Sequence, residues 1–165
     1  MLKIIKYPDE ILNERVPDFD FSNPSEDPKQ LEKEMLETMY AHEGIGLSAN
    51  QVGKRIRMFV MGNPQEPEKG FALFNPIVVA HTDNIKELNE GCLSFPGIYV
   101  KIKRPAKIRA RWQNSIGEWE ESEFSNYDCK CFLHELDHLE GIVYKNRVSD
   151  IKWALAVKKS KKGKY

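Results

Sequence analysis

The chain has 165 residues with 25 basic and 25 acidic side chains, so its formal net charge at pH 7 is zero. This length suits one domain with one sizeable core, and we expect residues 1–165 to form one catalytic domain. The balanced charge excludes a globally basic nucleic-acid binder, so we predict no DNA partner. Apolar runs are too short to cross a membrane, and residues 1–6 are too short and lysine-broken for a signal peptide. Three cysteines, an odd number, indicate a reducing compartment, so we predict a cytoplasmic protein.

The spacing of apolar residues predicts the secondary structure along most of the chain. Residues 1–16 contain a short strand-like stretch with a turn at Pro8, and residues 63–70 form a polar loop. Apolar side chains three and four residues apart predict an amphipathic helix over residues 29–42, which Gly44 ends. Strands are predicted where apolar and polar residues alternate or where short apolar runs stand between turn residues. They span residues 56–60, 71–74, 77–80, 98–102, 106–112 and 119–124.

The most informative feature of the sequence is the run His134-Glu135-Leu136-Asp137-His138. A helix places residues i and i+4 on one face, one turn apart, so His134 and His138 can hold a single metal ion. Glu135, next to the first histidine, is then placed as the general base of a hydrolytic metal site. Asp137 either bonds a histidine ring, caps a neighbouring segment or faces solvent. The competing interpretation of the run is a surface helix with two exposed histidines.

The residues around this run predict a buried helix. It begins after Ser125 or Asn126 and ends before Gly141, and its other faces are rich in leucine and phenylalanine. Two histidines and a glutamate are costly to bury unless they are paired or bind a metal, which favours the metal site. Strands around such a helix predict an α+β fold, with antiparallel or mixed sheets packed around a central metal-binding helix.

A third metal ligand must come from outside the histidine pair. Cys131 lies on the same face, but it is seven residues from His138, roughly 10 Å along the helix axis, too far for one tetrahedral ion. Cys129 points to a different face, so both cysteines are better read as small buried hydrophobic residues. Cys92 comes from another segment and has no such limit. Two imidazoles and a thiolate leave a fourth position open, as catalytic metal sites do.

Three segments of the chain resemble the peptide deformylase family, in the order in which the family has them. Residues 44–51 read GIGLSANQ, residues 90–94 read EGCLS, and residues 134–138 read HELDH. Residues 94–99, SFPGIY, are most similar to the plant-organelle type of the family, and the C-terminus is short for it. The resemblance implies a metal-dependent hydrolase that removes the N-formyl group from the initiator methionine of nascent polypeptides and releases formate.

The resemblance also implies roles for individual residues. One divalent ion would be held by Cys92, His134 and His138, with ferrous iron expected in cells and zinc, nickel or cobalt as substitutes. Glu135 would be the general base, and the Gln51 side-chain amide and the Leu93 backbone N–H would stabilise the oxyanion.

Further residues are implied to bind the substrate peptide. The backbone of Gly44, Ile45 and Gly46 would pair with it as an added strand. Ile45, Tyr127 and Cys131 would line the pocket for the methionine side chain. Glu90 would lie near the site and anchor a loop or an arginine.

Three other functions stay open from the residues alone. A non-enzymatic, metal-stabilised binding protein would need the fourth metal position closed, for instance by Cys131, and would leave Glu135 without a role. A metalloprotease would need a downstream histidine or glutamate as third ligand, whereas the deformylase uses an upstream cysteine. A catalytically inactive homologue would bind formyl peptides without turnover.

The C-terminal end carries five lysines within residues 158–165. Ser149 is predicted to cap a short helix that turns Ile151, Trp153 and Leu155 toward the body of the protein. The lysines that follow are either a solvated end or a weak contact to ribosomal RNA near emerging nascent chains.

Overall fold

Seven strands and three α-helices make up the fold within residues 1–163, the part of the chain that the computed structural model describes. The strands are β1 (Gly46–Ser48), β2 (Met58–Met61), β3 (Phe71–His81), β4 (Ile85–Cys92), β5 (Phe95–Pro105), β6 (Lys107–Gln113) and β7 (Trp119–Ser125). The helices are α1 (Pro28–Ala41), α2 (Asn126–Leu139) and α3 (Asp150–Lys161). Short 3-10 helices span Glu10–Asn13, Ala49–Val52, Pro67–Lys69 and Tyr144–Arg147.

The strands form two antiparallel sheets around helix α2. The larger sheet has the order β1-β2-β3-β6-β7, and the smaller one pairs β4 with β5. Residues of α2 contact both sheets, so the helix lies between them. The predicted α+β fold, with antiparallel sheets around a central helix, is therefore confirmed. Within residues 1–163 the longest helices have 14 residues, and none is both long and apolar enough to span a bilayer.

Aromatic packing fixes α2 against the larger sheet. Phe132 is fully buried, and its ring centre lies 5.2 Å from that of Phe59 on β2 and 5.1 Å from that of Phe124 on β7. A second cluster joins α1 to the other side of β2, and a third joins β5 to Tyr144 and α3. The site-bearing helix is thus held by contacts distant from its polar face.

Several sequence-based boundaries are wrong for identifiable reasons. The strand-like stretch in residues 1–16 forms no strand, since Ile5 and Tyr7 donate their backbone N–H groups to Gln51 and Ser94 instead. The two strands predicted around Asn75 are one continuous strand, β3. Asn75 takes a positive φ of 50° and the ladder shifts register there, but the strand does not end.

Strand β4 was not predicted, because its inward face carries the buried carboxylate of Glu90 beside Leu88 instead of an apolar row. Strand β1 was also missed, since three residues are too few to show a period. Both missed strands border the polar site.

The orientation of α3 corrects another prediction. Ser149 does cap the helix, accepting a hydrogen bond from the Lys152 backbone N–H at 3.2 Å. However, Ile151 and Leu155 are 76% and 56% exposed, so the prediction that they face the body is wrong. The prediction for Trp153 is confirmed, since its ring centre lies 5.5 Å from that of Phe95. The helix extends to Lys161, and Lys164 of the predicted lysine-rich end lies outside the described residues.

We expect Phe132→Ala to destabilise the fold by about 3–5 kcal/mol, because truncation leaves a cavity where three rings meet. Ile151→Ala, at an exposed position, serves as the control and should change stability by no more than about 0.5 kcal/mol. Urea unfolding of both variants at equal metal loading gives the comparison. Equal unfolding midpoints for Phe132→Ala and the unchanged protein would contradict this account of the core.

Candidate active site

Helix α2 brings the two histidines of the HELDH run onto one buried face. His134 and His138 are 7% and 0% exposed, and their ring centres lie 5.0 Å apart. The helix begins after Ser125, one of the two predicted positions, and Gly141 follows it with a left-handed φ of 74°. The interpretation of the run as a surface helix with exposed histidines is therefore wrong.

The end of strand β4 brings Cys92 to the same place. Its Sγ lies 3.3 Å from His138 Nε2, and the ligand atoms of Cys92, His134 and His138 all lie within 4.8 Å of one another. Register shifts between Glu90 and Cys92, so the chain leaves the ladder where the thiol turns inward. Cys129 and Cys131 are buried and stand outside this group, as the spacing argument required.

The donor set suits one divalent metal ion. A tetrahedral site with bonds of about 2.0 Å to nitrogen and 2.3 Å to sulfur places those atoms roughly 3.5 Å apart, close to the spacing of Cys92 Sγ and His138 Nε2. His134 Nδ1 lies 2.8 Å from Glu90 Oε1, which leaves its Nε2 for the metal. Two imidazoles and a thiolate can therefore hold one metal ion with a position left open.

A buried ionic network supports the histidines. Arg104 donates two hydrogen bonds to the Glu90 carboxylate, at 2.6 and 3.0 Å, and a third to Asp137 at 3.0 Å. Arg147 completes the network with two bonds to Asp137. Burial opposes ionisation of Glu90, but the bonds from His134 and Arg104 outweigh it and lower its pKa to about 2. Glu90 thus anchors an arginine, as expected.

The same network decides the open question about Asp137. This carboxylate neither bonds a histidine ring nor faces solvent, since it is 8% exposed and binds Arg104 and Arg147. Sequence reasoning did not single out either arginine. The available signals were Arg104, which continues the alternation of Val100 and Ile102 on β5, and Arg147, which follows α2. Only the tertiary contact pairs them with acids.

Glu135 has a different environment from Glu90. Its side chain is 4% exposed, and its Oε2 has no hydrogen-bond partner among the described residues. Burial raises its pKa to about 7. An unpaired carboxyl that titrates near neutral pH, beside three side chains that could hold a metal ion, is suited to moving a proton.

Gln51 has its side-chain amide fixed at both ends. Oε1 accepts bonds from the Ser48 backbone N–H at 3.0 Å and from Ser48 Oγ at 2.9 Å. Nε2 donates to Ser94 Oγ at 3.1 Å and lies 3.4 Å from Cys92 Sγ. The amide N–H groups therefore face the metal-binding group. Ser48 and Ser94 were not named as site residues, because their contacts with Gln51 are made only in the folded structure.

A cavity of about 650 Å³ opens beside these residues. The predicted peptide-binding residues all line this cavity, and so does Leu93. The peptide-binding residues are Gly44, Ile45, Gly46, Glu90, Tyr127 and Cys131. Burial raises the pKa of the Cys131 thiol well above its ordinary value, so the part of the cavity wall that Cys131 forms is uncharged. Ile45 and Tyr127 are 44% and 61% exposed and lie toward the opening.

The chain is similar to known proteins over nearly its whole length. A family model described as polypeptide deformylase matches residues 1–153. The chain belongs to the peptide deformylase family. Its activity is therefore the removal of the N-formyl group from nascent polypeptides, as expected from the three motifs.

Individual relatives agree with this assignment. A peptide deformylase of Thermotoga maritima is 38% identical over 162 residues, which cover 96% of this chain and 94% of that protein. Peptide deformylase 1B, chloroplastic/mitochondrial, of Arabidopsis thaliana is 39% identical over 154 residues, 90% of this chain and 55% of that protein, so the chain spans about half its length. A peptide deformylase crystal structure from Legionella pneumophila has a TM-score of 0.89 at 30% identity, covering 99% and 95% of the two chains.

We expect Gly46→Ala to lower kcat/KM of this deformylase family member by at least about tenfold. A Cβ at residue 46 would lie 2.7 Å from Cys131 Sγ and 2.8 Å from Glu135 Oε1, so the glutamate must move. Adding Cys131→Ala removes one of the two clashes and should restore part of the activity. Unchanged kcat/KM in the single variant, with the fold checked by circular dichroism, would show that this close approach does not matter.

Proposed function

We propose that the site hydrolyses N-formylmethionyl peptides with one metal ion held by Cys92, His134 and His138, and that residues 1–165 act as one catalytic domain. The observation that carries this proposal is the convergence of the three donors within 4.8 Å, beside an unpaired buried Glu135. When bound there, a divalent metal ion would polarise the formyl oxygen and lower the pKa of a water molecule, so that hydroxide is available near neutral pH.

Ferrous iron is the metal we propose in cells, with zinc, nickel or cobalt as substitutes. Imidazole and thiolate ligands accept all four ions. Zinc binds such a site more tightly than ferrous iron, so metal availability decides which ion is present.

Glu135 is the proposed general base. It takes the proton of the attacking water on its free carboxylate oxygen and later returns that proton to the departing amine. A pKa of about 7 suits both transfers near neutral pH, because neither protonation state is strongly favoured. Its buried position beside the histidines supports this role.

Gln51 and Leu93 are the proposed donors to the oxyanion that forms at the formyl oxygen when the formyl carbon is attacked. The Gln51 amide is held from behind by Ser48, so its N–H groups are oriented before substrate arrives. A carboxamide also keeps its donors at every pH. The Leu93 backbone N–H follows the candidate ligand Cys92 directly and lies on the cavity wall.

The peptide is proposed to lie between Gly44–Ile45–Gly46 on one side of the cavity and the end of β4 on the other. Backbone groups at both walls are suited to an added strand. Cys131, with Ile45 and Tyr127, would hold the methionine side chain, since this wall is uncharged and mostly apolar. A metalloprotease is disfavoured because the third donor is the upstream Cys92.

Glu135→Gln should retain the metal while formate release falls by a factor of at least ~10², since the amide cannot act as a base. Formate release from an N-formylmethionyl peptide by anaerobically purified protein, with its metal quantified, gives the reference. Near-normal turnover by Glu135→Gln would exclude the assigned base. Peptide binding without formate release by the unchanged, metal-loaded protein would instead indicate the inactive homologue.

We also propose a cytoplasmic location and a weak contact with the ribosome. The three free thiols support a reducing compartment. Lys158, Lys159, Lys161 and Lys162 lie at the C-terminal end of α3, where they add positive charge to one end of the helix. Lysines facing phosphates bind without sequence preference and with strong salt dependence.

Deletion of residues 158–165 should leave formyl-peptide turnover unchanged, because no proposed site residue lies there. Co-sedimentation with ribosomes at low salt should fall. A full-length variant with the five lysines changed to glutamine separates the effect of charge from that of helix length. Equal sedimentation of all three proteins would mean that the lysines serve only as a solvated end.

A further inference from the structure

A lysine side chain contributes to the wall of the cavity. Lys130 on α2 is half-buried and lines the cavity with Tyr127 and Cys131. Its Nζ donates a hydrogen bond to the Asn89 backbone oxygen at 2.9 Å and lies 5.0 Å from the centre of the Tyr127 ring. An ammonium has three N–H groups, and Asn89 accepts the one hydrogen bond it makes within residues 1–163.

This ammonium is not neutralised by its surroundings. Lys130 is half-buried, so water is partly excluded from it, and this burial lowers its pKa. The nearby carboxylate of Glu90 is already committed to Arg104 and His134. Among the described residues, none of the ion pairs includes Lys130, so a carboxylate brought by a ligand would be its first.

A second lysine stands near Asn89, outside the cavity lining. Lys101 on β5 stands directly opposite Asn89 in the ladder, and both side chains are exposed on the outer face of the small sheet. The acid on that face, Glu87, is bound by Lys152 at 3.2 Å. Elsewhere on the cavity lining, Lys6 and Glu43 carry opposite charges. Lys130 and Lys101 therefore both lie beside Asn89, where α2 meets β4.

The cavity thus has two chemically distinct parts. Gly46 and the neutral thiol of Cys131 form an uncharged wall, next to Glu135 and the candidate metal centre. Lys130 Nζ lies beside the exposed ring of Tyr127, nearer to solvent. A peptide whose first side chain rests on the uncharged wall would carry its following residues past the ammonium.

We propose that Lys130 is a specificity-determining residue that selects formylmethionyl peptides with an aspartate or glutamate directly after the formylmethionine. This inference rests on the proposed function, because it requires the peptide to be turned over in this cavity. A carboxylate that reaches Lys130 Nζ gains a charge-assisted hydrogen bond where water is already partly excluded. A lysine in the same position of the peptide would meet a like charge.

The test compares three C-terminally amidated peptides, formyl-Met-Glu-Ser, formyl-Met-Gln-Ser and formyl-Met-Lys-Ser, by formate release with the metal-loaded enzyme. We expect kcat/KM for the glutamate peptide to exceed that for the glutamine peptide by about three- to tenfold, with the lysine peptide slowest. The difference should appear mainly in KM. It should shrink in about 0.5 M salt, because screening weakens charge pairs near the surface.

Variants assign the preference to one residue. Lys130→Met keeps an unbranched side chain against Tyr127 but removes the charge, so the ratio between the glutamate and glutamine peptides should fall to about one. Lys130→Arg keeps the charge and should retain the preference. Lys33→Met removes an exposed lysine from α1, outside the cavity lining, and should keep the original ratio.

The outcomes distinguish failure of the role proposed for Lys130 from failure of the proposed function. Equal kcat/KM for the three peptides, or an unchanged ratio in Lys130→Met, overturns the role of Lys130 while leaving the deformylation site intact. Absence of formate release from every peptide with the unchanged enzyme contradicts the proposed function itself. A ratio that also falls in Lys33→Met would assign the preference to overall charge and so overturn the inference.

Discussion

The site depends on a buried network in which Arg104 joins two carboxylates from different elements. Arg104 on β5 lies between Glu90 on β4 and Asp137 on α2, and Arg147 binds Asp137 from the solvent side. Within residues 1–163 the small sheet makes no ladder with the larger one, so side-chain contacts must dock Cys92 against the helix. Such networks add little net stability, but loss of one partner typically costs about 3–5 kcal/mol, because a buried charge is left unpaired.

This network also separates the two glutamates that lie nearest the histidines. Glu90 accepts bonds from Arg104 and His134, and its pKa falls to about 2, so it stays a carboxylate that orients an imidazole. Glu135 is equally buried but has an unpaired oxygen, and its pKa rises to about 7. Environments that shift the pKa values of two glutamates in opposite directions suit them to separate tasks. One keeps its charge, and the other can exchange a proton.

The sequence predicted what depends on local spacing and missed what depends on contacts between distant segments. The i, i+4 spacing placed His134 and His138 on one face. The distance between Cys131 and His138 along the helix axis favoured Cys92 as the third ligand. Nothing local paired Arg104 with Glu90, since their side chains meet only when β4 and β5 form a hairpin. The face of α3 was predicted only in part for the same reason: Trp153 meets Phe95 as expected, but Ile151 and Leu155 are exposed.

The proposed catalytic and substrate-selecting residues lie in different halves of helix α2. Its C-terminal half carries His134, Glu135 and His138, all buried and held by the network and the aromatic core. Its first two turns carry Tyr127 and Lys130, which reach the cavity where the helix emerges into solvent. Because Phe132 locks the helix between these halves, a change of side chain in the first turns need not move the histidines. A fold arranged in this way can vary the peptides it accepts while the metal-binding geometry stays the same.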